Sequence, residues 1–314
     1  MLATGNVIEI RTREKAALFG SKGATKEKLV AYFDLTKPRV TLMVTLTSAA
    51  GFYLGSPSDQ LLNGRLLFHT LAAVWLLASG IACLNQYMER IRDGLMRRTL
   101  WRPLPSRRLR PMQALLFGLS LTIVAELYLA LCAGALATLL GLAVIVGYLF
   151  LYTPLKTRTP HSTTIGAIPG AIPPLIGWAA ARGHLGTAAW ALFAIMFLWQ
   201  FPHFFAIARL YREDYERAGI RMLPVVETDG RRTARYIVFS ALLLVPVSLL
   251  PTLLGLTGPV YFAGALGLGI AYCTCSIMVS QRRLRASKLY ARRLMLASVV
   301  YLPLLFLIMV VNKR

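Results

Sequence analysis

The sequence predicts an all-α polytopic membrane protein with nine transmembrane helices. Three observations predict it. Of the 314 residues 56% are hydrophobic and 15% charged, the uncharged runs have the length of a bilayer crossing, and the basic residues collect in alternate connections. A soluble domain carries nearer a quarter charged residues, so that class is excluded, as are a disordered chain and a collagen-like repeat. Strand-like alternation is absent, and helices close their own backbone hydrogen bonds in lipid, which removes the β-barrel.

A polar N-terminal tail, residues 1–34, precedes the bundle expected over residues 35–314. Charge-free segments then run Val40–Ser58, Leu66–Met88, Pro111–Ala125, Leu127–Leu155, Thr159–Ala181, Gly183–Ala208, Tyr236–Gln281 and Leu294–Asn312. About 20 apolar residues cross a hydrocarbon core about 30 Å thick. Tyr236–Gln281 is therefore two crossings, divided near Thr257, Gly258 and Pro259. Pro111–Leu155, interrupted only by Glu126, is likewise two, hinged near Gly134. The fifth crossing is broken by Gly166, Pro169, Gly170, Pro173 and Pro174. Irregular backbone at membrane depth is tolerated only beside protein or a cavity, so this helix is expected to line a pocket. Cys83, Cys132, Cys273 and Cys275 lie inside apolar runs and read as small core residues, neither a disulfide framework nor a zinc site.

The net charge of +22 would suggest a nucleic-acid partner if the cations were mixed along the chain. They are not: 31 of the 35 basic residues fall in the first 39 residues and the even-numbered connections, leaving Arg65, Arg182, Lys313 and Arg314 on the other side. The positive-inside rule places the N-terminus in the cytoplasm and the C-terminus outside. No aromatic-interleaved basic module appears, so nucleic acid is not an expected partner; the bilayer and its anionic headgroups are. The first 30 residues lack a cleaved signal pattern, and the expected location is a bacterial cell inner membrane in preference to the mitochondrial one.

Seven of the 13 acidic residues occupy two even-numbered connections or the helix ends feeding them: Glu89 and Asp93, then Glu213, Asp214, Glu216, Glu227 and Asp229. In Asn85-Gln-Tyr-Met-Glu89-Arg-Ile-Arg-Asp93 an amide and two carboxylates recur every four residues. Each step of four advances about 40° around a helix, so the three side chains share one face. Oxygen ligands so placed suit Mg²⁺, which is held by one or two carboxylates together with substrate phosphates. Taken alone, Glu89 and Asp93 read more readily as neutralising Arg90, Arg92 and Arg97 on a solvated face. The second cluster, Tyr211-Arg-Glu213-Asp214-Tyr215-Glu216, favours metal work, because carboxylates from separate helix ends can converge on paired ions that stabilise a leaving diphosphate. Arg97, Arg98 and Arg102 follow the first cluster, Lys156 and Arg158 form the fourth connection, and Arg209 and Arg212 precede the second. These are candidate phosphate contacts. Acids and bases at the mouth of an apolar bundle point to a substrate with a diphosphate head and a greasy tail.

Three stretches carry a family resemblance. The run from Asn85 to Thr99 with Arg102-Pro103-Leu-Pro105 resembles the first signature of the UbiA-type intramembrane prenyltransferases. Tyr152-Thr-Pro-Leu-Lys156-Thr-Arg158-Thr-Pro160, running into Gly166-Ala-Ile-Pro-Gly170-Ala-Ile-Pro173-Pro174, is the second. Trp199-Gln-Phe-Pro202-His203-Phe204, with Tyr211-Arg-Glu-Asp214-Tyr215 and Ala218 to Val226, is the third. Together they are similar to the branch of that superfamily that farnesylates protohaem IX. The resemblance implies a bundle around a central cavity, farnesyl diphosphate and haem B as substrates, haem O as product, and Mg²⁺ as cofactor. Position by position it implies Asn85, Glu89 and Asp93 on one Mg²⁺, Asp214 on a second, and Lys156, Arg158 and Arg98 on the diphosphate. Glu89 stands where the family usually has Asp, and Ser162 where Asn is expected.

That chemistry needs a dry cavity, since water would capture an allylic cation early. Tyr148, Trp178, Trp199 and Phe204 are its candidate walls, aromatic faces being favourable to cations. His203, an ionisable residue within a span, is expected either to ligate haem iron or to bond a propionate. A downstream haem-modifying enzyme is an expected partner. Two other readings stand beside this one: a sister enzyme prenylating a quinone precursor or another tetrapyrrole, and a membrane transporter, which would more naturally place its charges near mid-bilayer.

Overall fold

The computed structural model describes residues 21–57, 62–281 and 287–314; residues 1–20, most of the expected polar tail, lie outside the described residues. The chain is helical from Ser21. Helix α1 (Ser21–Leu35) buries Ala31 and Leu35 against Cys83, Leu104, Leu109 and Ala114, and Gln86 Nε2 donates to the Leu35 carbonyl at 2.8 Å.

In chain order follow α2 (Pro38–Gly55), α3 (Gly64–Asp93), α4 (Pro111–Cys132), α5 (Ala135–Ile145), α6 (Ser162–Ala171), α7 (Pro173–Arg182) and α8 (Thr187–Leu210). After two short helices, α9 (Arg212–Arg217) and α10 (Leu223–Val226), come α11 (Arg231–Leu253), α12 (Pro259–Ser280) and α13 (Lys288–Val311). The breaks fall where the residues require them. Gly134 turns the chain at φ 88°, Gly255 at φ 76°, and Pro173 separates α6 from α7 at Ile172. All four cysteines are free thiols.

Among the described residues eight helical spans are long and apolar enough to cross a membrane, with Ala135–Leu155 and α6–α7 each forming one. The first of the nine expected crossings, α2, is a helix of 18 residues, about 27 Å long, but falls short in apolarity. It opens with Pro38-Arg39 and carries Thr41, Thr45 and Thr47, whose hydroxyls return to the carbonyls of Thr36, Thr41 and Val44. Its other role is packing. A Cβ on Gly51 would stand 2.0 Å from the Pro174 carbonyl oxygen, and one on Gly177 1.9 Å from that of Ser48. In lipid no hydrophobic force drives helices together, so small residues that let backbones meet supply the contact.

Two apolar clusters fill the bundle. One gathers α8 against α11–α13 around Leu192, Ile195, Phe201 and Leu305. The other joins α3, α4 and α7 around Leu77, Leu129 and Ile176. Large apolar side chains such as Leu131 and Val311 face outward, which a bilayer tolerates. The C-terminus of α3, the start of α2, the Lys156 turn and the end of α8 all lie at one end of the bundle.

Candidate active site

Two carboxylate clusters more than a hundred residues apart meet at that end. Asp214, at the start of α9, accepts hydrogen bonds from the backbone amides of Arg97 at 3.3 Å and Arg98 at 3.1 Å and pairs with Arg217. The Arg98 guanidinium bonds the Tyr215 hydroxyl at 3.0 Å and lies over the Tyr211 and Tyr215 rings. Tyr215, Met96, Ile220 and Met222 form a small apolar cluster beneath. Burial by itself would raise the Asp214 pKa, but the Arg98 and Arg97 amides and Arg217 outweigh it and hold the carboxyl below its usual range.

The α3 triad shares one face, as its spacing of four predicts. Asn85 is 1% exposed, Glu89 8% and Asp93 0%. A buried carboxylate requires compensation, and each polar group here has its own cation. Lys37 Nζ donates to Asn85 Oδ1 at 2.9 Å, Lys156 Nζ to Glu89 Oε1 at 2.8 Å, and Arg102 Nη1 to both oxygens of Asp93 at 2.7 Å. Burial works against the Lys156 ammonium, yet the Glu89 carboxylate prevails and raises its pKa above the ordinary lysine value. Lys37 has no carboxylate partner; burial, then Arg102, bring it down to about 7.

Between Ile145 and Thr153 the helix widens into a π-helical stretch, Val146–Tyr152. Thr153 Oγ1 returns to the Tyr148 carbonyl five residues back and receives Asn85 Nδ2 at 3.3 Å. Tyr152 and Tyr148 stand beside Lys156, with ring centroids 4.4 and 6.0 Å from Nζ. The Lys156 carbonyl accepts the Arg221 amide at 2.7 Å, which fastens this turn to the loop after α9.

The remaining expected residues divide. Arg97 and Arg158 are exposed at the rim. Arg212 turns away, donating to the carbonyls of Val225 and Glu227. Trp199 and His203 stack at 4.7 Å on α8 and both bond Ser298 of α13. Phe204 packs beside Met96 and Tyr215. Trp178 lies at the opposite end of the bundle, against Gly55. Ser162 opens α6, fully buried, its hydroxyl without a partner. Residues that sequence reasoning missed are Lys37, Tyr152, Thr153 and Tyr215. Tyr152, Thr153 and Tyr215 lay inside the stretches that carry the family resemblance, and Lys37 stands immediately before the proline that starts a crossing.

The sequence model of the UbiA prenyltransferase family matches residues 42–307. The chain belongs to that family. It is a multi-pass membrane prenyltransferase. Among curated relatives, the protoheme IX farnesyltransferase of Solibacter usitatus (strain Ellin6076) is 47% identical over 289 residues, 90% of this chain and 98% of that protein. That of Koribacter versatilis (strain Ellin345) is 47% identical over 287 residues, covering 90% and 93%. Among solved structures, a digeranylgeranylglyceryl phosphate synthase superposes with TM-score 0.75 at 17% identity, over 91% of this chain and 98% of its own. A UbiA homolog from Archaeoglobus fulgidus bound to GPP and Mg²⁺ does so with TM-score 0.61 at 16% identity, over 89% and 99%. These likenesses show the UbiA fold. Among the described residues no three His, Cys, Asp or Glu side chains gather closely enough to form a metal centre by themselves.

Proposed function

We propose that this prenyltransferase moves the farnesyl group of farnesyl diphosphate onto a vinyl group of haem B, giving haem O and diphosphate. The observation that carries the site is the Asp214 carboxylate held on the Arg97 and Arg98 amides, because it brings both acidic clusters to one mouth. The haem acceptor rests on relatives at 47% identity that bear the farnesyltransferase name.

The donor set fits Mg²⁺: Asn85, Glu89, Asp93 and Asp214 offer only hard oxygens, and the ion completes its shell from water and phosphate. Bound there, Mg²⁺ would neutralise charge on the diphosphate as it departs. Lys156, Arg98 and Lys37, with Arg97 and Arg158 at the rim, would hold the diphosphate oxygens while the allylic C–O bond breaks. The haem vinyl carbon then bonds to the farnesyl carbon, and a water oxygen closes the resulting cation with loss of a proton, leaving a hydroxyethylfarnesyl group. Tyr148 and Tyr152, beside Lys156, would wall the reacting carbon from solvent. His203, carried on Trp199 and Ser298, would contact haem through its iron or a propionate. The transferase domain spans residues 35–314 in the bacterial inner membrane, with its acidic end and N-terminus cytoplasmic, and its product passes to a haem-modifying enzyme.

Purified protein given Mg²⁺, haem B and farnesyl diphosphate should yield a pigment heavier by one farnesyl group and one hydroxyl group. Unchanged haem alongside prenylation of a phenolic quinone precursor would overturn the acceptor.

A further inference from the structure

Ser298 of α13 holds two residues of α8. Its hydroxyl donates to the Met295 carbonyl at 2.5 Å, its own carbonyl accepts the Trp199 indole N–H at 2.8 Å, and His203 Nδ1 stands 2.7 Å from its Oγ. A hydroxyl carries one proton. Two oxygens as close as Ser298 Oγ and the Met295 carbonyl repel unless a proton lies between them, and the carbonyl has none to give. The Ser298 proton is therefore committed to Met295, and His203 Nδ1 is the donor to Ser298 Oγ. Tyr272, whose hydroxyl also neighbours Ser298, leaves this unchanged, since it adds a second donor to the same oxygen.

A neutral imidazole with its proton on Nδ1 has a bare lone pair on Nε2. The ring is also held in its plane, stacked on Trp199 with 18° between the two. Nε2 makes no hydrogen bond with the described residues and is not a buried atom, so it opens on free space. No residue of α8 between 191 and 210 is exposed, and Phe197, Trp199, His203 and Phe204, all half-buried, share one side of the helix. That space therefore lies inside the bundle and not in lipid. Phe204, the next residue along, packs with Met96 and Tyr215, which brings the open nitrogen towards the carboxylate mouth.

A lone pair without a proton accepts and cannot donate. A haem propionate, itself an acceptor, gains nothing from it. Haem iron takes a neutral imidazole nitrogen as its ligand, and a metal-bound histidine commonly gives its other N–H to an oxygen acceptor, as His203 does to Ser298. Building on haem B as the farnesyl acceptor, we infer that Ser298 positions His203 to ligate the haem iron through Nε2, with no bond to a propionate. Ser298 touches no substrate; it acts through the tautomer and the orientation of the ring.

The test uses the full-length protein in neutral detergent with reduced haem B, and resonance Raman spectroscopy reads the iron–histidine stretch. The band should be present in the wild type, absent in His203→Ala, and restored when free imidazole is added to that variant. Ser298→Ala removes the acceptor of the Nδ1 proton. It should keep haem bound but move the band to lower frequency, because an imidazole without that hydrogen bond is the weaker base. The Trp199 bond runs to the Ser298 backbone carbonyl and survives the change, so the variant retains this contact between α8 and α13. A merely structural part for Ser298 would leave the band where it is, and an unmoved band overturns the inference, as does one that persists in His203→Ala. Haem bound without the band, in protein that still makes product, overturns it too and leaves the farnesyl acceptor standing. Failure to bind haem, with no farnesylated pigment, overturns both.

Discussion

The Lys156 ammonium lies 2.8 Å from Glu89 Oε1, with both side chains largely buried. A buried pair of this kind is costly to break from one side, because the charge left behind keeps its desolvation penalty. Lys156→Met should destabilise the protein by about 3 kcal/mol, and Glu89→Gln added to it should recover part of that loss. Denaturation of the two single variants and the double in micelles measures the coupling; strictly additive losses would separate the two residues. Turnover should fail in all three.

Asp214→Asn should abolish transfer while the protein stays folded, as should Asp93→Asn. Product mass gives the activity and circular dichroism the fold. Unimpaired product in both would refute their role.

Asp214 also sets an acid limit. Its carboxyl titrates below the usual value of about 3.9, so its contribution is complete above that value and lost as pH falls through the lower, folded one. Amide exchange at Arg97 and Arg98 should stay protected down past pH 4 and then open, whereas Asp214→Ala, which removes both acceptor oxygens, should open both at every pH. Protection that persists in the variant would mean that the two loops are joined by something else.

Excess chelator should stop turnover, and added Mg²⁺ should restore it. Steady product in chelator would count against a divalent ion.

His203→Ala should weaken haem affinity about tenfold, or about 1.4 kcal/mol, in an absorbance titration, with diphosphate binding unchanged. Equal haem affinity would leave His203 only its bond to Ser298.

Gly177→Ala should cost about 2 kcal/mol by overpacking, since its new methyl would meet the Ser48 carbonyl of α2. Thermal unfolding checks this; an unshifted midpoint would mean that α2 and α7 can part without loss.

What the chain determined by itself is local. Run length placed the crossings, Gly134 and Pro259 placed turns, and the interval of four put Asn85, Glu89 and Asp93 on one face, because helix geometry relates residues a turn apart whatever surrounds them. The family signature, carried by continuous stretches, was readable for the same reason. The docking of the polar tail was less so: α1 is mostly polar, and its Ala31 and Leu35 pack on Cys83 and Leu104 of the bundle.

Tertiary structure alone decided which cation meets which carboxylate, that Asp214 is seated on the Arg97 and Arg98 amides, and that Lys37 reaches Asn85. It also decided that Trp178, an aromatic in a proline-broken helix like any expected wall, belongs to the far end with Arg182 and Lys313. Such pairings depend on the packing of separate helices, where a shift of one turn carries a side chain about 5 Å along the axis, and no interval within a single helix encodes that shift.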